Sequence, residues 1–315
     1  MRNILFAAII SAIVVFSVAI TACGGGGRKQ TATAPEELRI EIPRPPAMLT
    51  DPYTAGVWML NHYWDNMNFA DTVYIGKEVT EQTFANYLAM LIQAPVVESR
   101  RAIAGFMERA RANREVHDYF TERMEHYLHE PNSPYRNEDL YISVLETIIA
   151  WDALDEVYKI RPRAQLETAL KNRAGETASD IPITLSSGRV VRLHQIDADY
   201  IMLYFIDIDC PICDQTTRDL MGSQIVQQLV ASGELRVVTV YPDENITSWH
   251  AHLGDLPRDW MHGYDGGRHI SGERLYDMRA RPSLYLLDRN KTVILKDIPS
   301  GAIMHRHLMQ MFLER

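Results

Sequence analysis

The chain has 315 residues, 46% of them hydrophobic and 23% charged, enough for two domains and a substantial core. Its formal net charge of -9, with no basic cluster to offset it, argues against nucleic acid as a partner. The sequence carries no Gly-rich phosphate loop, dinucleotide fingerprint or repeat of 20 to 50 residues, so no cofactor is expected.

In chain order, Arg2 precedes an apolar stretch over residues 4–20 that carries no charge, followed by Thr21-Ala22-Cys23. A basic start, an apolar core and a small residue before a cut read as a secretory signal over residues 1–22. The cysteine just after that small residue resembles the lipobox of bacterial lipoproteins. This resemblance implies cleavage before Cys23, diacylglyceryl attachment to its sulfur, and acylation of the new amino terminus by palmitate or a similar fatty acid. More than one acyl chain makes such an anchor stable. Gly24 stands where an aspartate is associated with inner-membrane retention. The expected location is therefore the cell envelope, anchored to the outer membrane and facing the periplasm, with the inner membrane as the alternative. Residues 23–47 read as a tether, because four glycines, polar residues and Pro43-Arg44-Pro45-Pro46 cannot build a core.

Residues 48–173 predict an all-α domain. Thr80 is placed to cap a helix with Phe84, Leu88, Leu91 and Ile92 on one face. Pro95 interrupts the pattern, and residues 96–112 resume it with Ile103, Phe106 and Met107. Ser133-Pro134 predicts the start of a helix striped by Tyr141, Leu145, Ile148 and Ile149. Pro162 predicts another start and Gly175 a stop. His126 and His129 have metal-compatible spacing but read first as histidines of an amphipathic helix. Arg100, Arg101, Arg109 and Arg111 read as a solvated face.

Residues 174–315 change texture. Alternation over 181–185 and 189–193 around Ser186-Ser187-Gly188 predicts a hairpin. Residues 200–206 form an apolar, aromatic and β-branched run of strand length, which reads as a buried strand. Asp207-Ile208-Asp209-Cys210-Pro211-Ile212-Cys213-Asp214 follows, and a helix is predicted over 216–231 with Gly233 as its stop. The two cysteines thus stand where a buried strand meets a helix N-terminus, where free amides and the helix dipole favour a thiolate. Residues 235–241 predict a second buried strand, joined to the first by a parallel crossover. Short helices are expected over 246–253 and 271–278, strands over 282–288 and 292–296, and a closing helix over 302–313.

With Cys23 lipidated, Cys210 and Cys213 remain as a pair. A structural disulfide over so short a loop restrains little of the unfolded chain, and a C-x-x-C after a buried strand points to redox chemistry. Residues 174–315 resemble the thioredoxin-like fold, especially the anchored bacterial thiol–disulfide reductases related to those of cytochrome c maturation. The resemblance rests on the hairpin at Ser187-Gly188, the 200–206 strand, Cys210-Pro211-Ile212-Cys213, the 235–241 strand and Arg281-Pro282 ahead of Ser283. It implies a central mixed sheet flanked by helices, with Cys210 as attacking thiolate and Cys213 as resolving thiol. It also implies a cis bond before Pro282 and contact between the Arg281 backbone and an extended substrate. Partners implied are periplasmic protein thiols or disulfides and an unidentified electron donor. Residues 48–173 resemble the domain of unknown function that precedes thioredoxin-like domains in some Gram-negative lipoproteins.

Two positions depart from that pattern. Asp209 stands where tryptophan is usual, and Tyr204 where thioredoxin keeps a buried acid, which leaves Asp207 or water to handle the Cys213 proton. Asp207, Asp209 and Asp214 disfavour a Cys210 thiolate. A reductant is therefore expected, nearer thioredoxin's roughly -270 mV than the strong oxidant's roughly -120 mV. The alternatives are a non-catalytic binding lipoprotein with a thioredoxin-like domain, or a copper or zinc carrier that adds His262 or His269 to the two thiolates.

Overall fold

Asx side chains open several helices of the N-terminal half. Asp51 accepts from the Thr54 amide at 2.8 Å and starts Pro52–His62 (α1), with proline at its first turn. Asn113 caps Arg114–Leu128 (α4), and Asn137 caps Glu138–Ile149 (α5) through the Leu140 amide at 3.1 Å. Between them run Glu78–Gln93 (α2) and Val96–Ala110 (α3), and after them Glu156–Ala169 (α6). The structure, a computed structural model, describes residues 38–313. It forms two compact units that part between Arg163 and Ala164. Residues 1–22, expected to be a secretory signal, and Cys23 lie outside the described residues.

The helical unit is centred on Trp64. Its ring lies 5.2 Å from Phe106, 5.7 Å from Tyr87 and 5.8 Å from Phe120, centroid to centroid. The predicted faces are buried at Phe84, Leu88, Leu91, Ile103, Phe106, Met107, Tyr141, Leu145 and Ile148. Three expected boundaries move. Lys77, not Thr80, precedes α2, and Thr80 is buried within it. Ser133 does not start α5: its hydroxyl instead donates to the Tyr127 carbonyl, and Asn137 caps the helix. Pro162 lies inside α6 rather than at its start; it forfeits one amide bond while the turns on either side continue.

In the second unit, Pro182–Leu185 (β1) and Val190–Arg192 (β2) pair as the predicted antiparallel hairpin. Tyr200–Phe205 (β3) pairs in parallel with Leu235–Tyr241 (β4) and antiparallel with Ser283–Asp288 (β6). With Met261–Tyr264 (β5) and Val293–Ile298 (β7) they form one seven-stranded mixed sheet, ordered β2-β1-β5-β4-β3-β6-β7. The apolar run of β3 is continuous because both faces are covered. Ile201, Leu203 and Phe205 join Val238, Val240 and Tyr285 on one face. Met202 and Tyr204 join Leu220, Ile225, Leu284, Met304 and Leu308 on the other.

The helix predicted over 216–231 is two helices, Pro211–Gly222 (α7) and Gln224–Ala231 (α8). Gly222 is a poor helix former, and Ser223 turns extended and caps α8 through the Val226 amide. Ile246–His252 (α9) ends in a short 3-10 turn. The helix expected over 271–278 shrinks to His269–Gly272 (α10), whose first amides are held by the Asp265 carboxylate. Strand β5 has no apolar run to announce it. Its Gly263 is required because a Cβ there would strike Ile183 and lie 3.0 Å from the Thr184 carbonyl oxygen. The last helix, Gly301–Leu313 (α11), begins close to α7: a Cβ on Gly301 would lie 2.5 Å from the Thr216 carbonyl oxygen.

Candidate active site

Strand β3 ends at Phe205, and five residues later Cys210 is the N-cap of α7, with Pro211 at the first helical position. Proline suits that position because it has no amide to leave unpaired. Between them Asp209 takes a left-handed conformation, φ 55°, which reverses the chain into the helix. The Cys213 amide points back at the Cys210 sulfur at 3.2 Å. The free amides of a first helical turn favour negative charge there.

Cys210 and Cys213 are joined by a disulfide, their Cα atoms 5.2 Å apart. They differ in access. Cys213 is 3% exposed, whereas Cys210 is half-buried and its neighbour Ile212 is 60% exposed. Cys210 is therefore the more accessible of the two.

Pro282 immediately precedes β6, which lies beside β3, and the Arg281–Pro282 bond is cis, as the resemblance implied. The Arg281 carbonyl oxygen lies 3.9 Å from the Cys210 sulfur. Four predicted positions, Cys210, Cys213, Arg281 and Pro282, are thus brought together by the adjacency of β3 and β6.

Three features correct or extend the sequence reading. Tyr204 stands behind the pair: its hydroxyl donates to the Cys213 carbonyl at 2.8 Å and lies 3.2 Å from the Thr217 hydroxyl. Burial pushes its phenol well above the usual tyrosine range, so at neutral pH it is a neutral hydrogen-bond donor. Asp207 is not a free acid waiting on Cys213. Its Oδ2 accepts from the Arg281 guanidinium at 2.8 and 3.1 Å, and its Oδ1 from the Ile208 amide. The same guanidinium reaches Asp243 Oδ2, just past β4, at 2.9 Å. Of the three acids expected to press on Cys210, Asp207 is therefore offset, which leaves Asp209 and Asp214, both exposed. A phenol within an apolar strand signals a need for a buried partner; the Arg281 pairs join residues 74 and 38 positions apart and left no local trace.

A metal site draws no support from the histidines. His262 holds Thr239 and the Pro257 carbonyl with its two ring nitrogens, each at 2.7 Å, and His269 Nδ1 lies 2.7 Å from Glu273. Among the described residues no group of three His, Cys, Asp or Glu side chains is placed to hold a metal ion. In the helical unit, His129 stacks on Tyr141 at 4.2 Å, and Arg100, Arg101 and Arg109 pair with Glu146, Glu98 and Asp65.

Residues 23–172 match a family model described as a domain of unknown function, DUF5106. No curated protein matches the chain. Among solved structures, a thioredoxin-like protein from Bacteroides caccae is 39% identical, with a TM-score of 0.81, covering 86% of this chain and 98% of that one. The C-terminal domain of an uncharacterized protein from Bacteroides fragilis is 37% identical, with a TM-score of 0.42, over 44% of this chain and 97% of its own. The thioredoxin domain of a thiol-disulfide oxidoreductase from Bacteroides vulgatus is 16% identical, with a TM-score of 0.37, over 43% of this chain and 96% of its own. On its likeness to the Bacteroides caccae protein over nearly that protein's whole length, this chain belongs to the thioredoxin-like family.

Proposed function

We propose that the chain is an extracytoplasmic thiol–disulfide oxidoreductase that reduces protein disulfides, held at the membrane by lipid on Cys23. The observation that carries this is the half-buried Cys210 at a helix N-cap, bonded to a fully buried Cys213 and faced by the Arg281–Pro282 turn. In the reduced protein, the Cys210 thiolate attacks one sulfur of a substrate disulfide, and the other leaves as a thiolate. Cys213 then loses its proton and attacks the Cys210 sulfur. The protein disulfide closes and the second substrate sulfur is released. Two electrons pass to the substrate, whose two thiolates take up two protons, and a partner dithiol restores the pair.

The Arg281 backbone suits an extended peptide laid beside Cys210, and the exposed Ile212 offers that peptide an apolar contact. With Arg281 offsetting Asp207, the reductant reading leans on Asp209 and Asp214, whose charge disfavours the thiolate and so favours the disulfide. No helix of the described residues is long and apolar enough to cross a membrane. Fatty-acid labelling lost in Cys23→Ala would test the anchor. The reduced full-length protein should reduce insulin disulfides, and Cys210→Ser should not. An inert wild-type protein would overturn the reading.

A further inference from the structure

We propose that Arg281 is a positioning residue of this site: its side chain locks the 281–282 turn to the loops after β3 and β4 and sets, by charge, how readily Cys210 ionises once reduced. The proposal rests on disulfide exchange being the work of the cysteine pair. The geometry is a clamp. One guanidinium reaches Asp207, three residues before Cys210, and Asp243, two residues past β4. The same residue's carbonyl oxygen faces the Cys210 sulfur at 3.9 Å. Three separate loops are thus tied at the residue that precedes Pro282, and the planar fork of arginine suits two carboxylates where a lysine would hold one at a time.

The clamp is also an electrostatic device. Its side chain is only 19% exposed, against 34% for Asp207 and 46% for Asp243, so the cation is the best shielded of the three. Tyr241, at the end of β4, registers the balance: burial pushes its phenol up first, Asp243 and Asp207 add to that, and Arg281 opposes them. Asp209 and Asp214 act on the cysteine from its own segment, and neutral Tyr204 from behind. Arg281 is the opposing cation, so its removal leaves the Asp207 and Asp243 carboxylates without it, Asp207 on the segment that leads into Cys210. Neutralising Asp207 releases the guanidinium's charge instead. The two changes move the thiolate in opposite directions, which a bracing role alone does not do.

The test uses the reduced full-length protein and reads two quantities. One is the dithiol–disulfide equilibrium against glutathione. The other is the ultraviolet titration of the Cys210 thiolate in a Cys213→Ala background, which requires no exchange reaction. Arg281→Gln should shift the equilibrium about tenfold toward the disulfide, close to 30 mV more negative, and reduce the thiolate fraction. Asp207→Asn should shift both the other way, and Arg281→Lys should stay within about threefold of wild type. Should Arg281→Gln fail to fold, Asp207→Asn and Asp243→Asn still decide the matter, since both should favour the thiolate. Shifts of one sign for Arg281→Gln and Asp207→Asn, or no shift beyond about threefold in any variant, would overturn the proposal. A wild-type protein that titrates as predicted but does not exchange with glutathione would instead sink the proposed function.

Discussion

In the helical unit, polar side chains serve helix ends and surface pairs. Asp51, Asn113 and Asn137 cap helices, and Arg100, Arg101 and Arg109 each meet a carboxylate. In the α/β unit, Tyr204 of β3 and the Arg281 carbonyl meet the cysteine pair, and the Arg281 guanidinium gathers acids from the loops after β3 and β4. The backbone differs in the same sense. Among the described residues, all six non-glycine residues with positive φ lie in the α/β unit, and Asp209 stands next to Cys210. One unit follows local rules nearly throughout. The other departs from them at several turns, one of them directly beside its cysteines, where a site can hold such strain.

Several changes would break or sharpen this contrast. Cys210→Ala should abolish disulfide reduction altogether, measured as insulin turnover, while leaving helical content unchanged. Trp64→Ala should do the converse. It removes the centre of the aromatic cluster at a cost of about 3–5 kcal/mol, which denaturant unfolding would read, and the glutathione equilibrium of the cysteine pair should not move. Tyr204→Phe deletes the donor to the Cys213 carbonyl and should cost about 1–2 kcal/mol. The loss should appear in the unfolding of the α/β unit with Cys210 still reactive; an unchanged midpoint would show that the bond contributes nothing. Asn137→Ala removes a cap and should cost about 1 kcal/mol.

The smallest expected effect is with pH. Burial pushes both His117, in the helical unit, and His262, in the α/β unit, below their usual 6.5. His262 donates through Nε2 to the Pro257 carbonyl and so accepts the Thr239 hydroxyl at Nδ1, which is a neutral ring's pattern. The unfolded chain therefore binds more protons than the folded one below 6.5, and stability falls as pH drops through that value. His117→Leu should flatten this loss for the helical unit alone. An acid limb identical to wild type would show that His117 does not contribute.

Much of this was legible in the sequence where neighbours decide the outcome. The runs that became β3, β4 and β6 were long and apolar enough to read as strands, and a helix was expected directly after the cysteines. The α/β elements that were missed depend on distant partners or on caps. β5 is four residues with a glycine at its tightest contact, recognisable only against Ile183 and Thr184. α10 is held by Asp265 rather than by its own periodicity. Cys210 and Cys213 stood out as a pair from their place after a buried strand, whereas the Arg281 clamp required β3, β4 and β6 to be assembled first.

The most direct test is a trap. Cys213→Ala, produced in cells in the full-length chain, should accumulate mixed disulfides to partner proteins through Cys210 that a reductant releases and that Cys210→Ala, Cys213→Ala lacks. If no adduct forms while the variant remains folded, the pair does not exchange disulfides with proteins, and the account of this site fails.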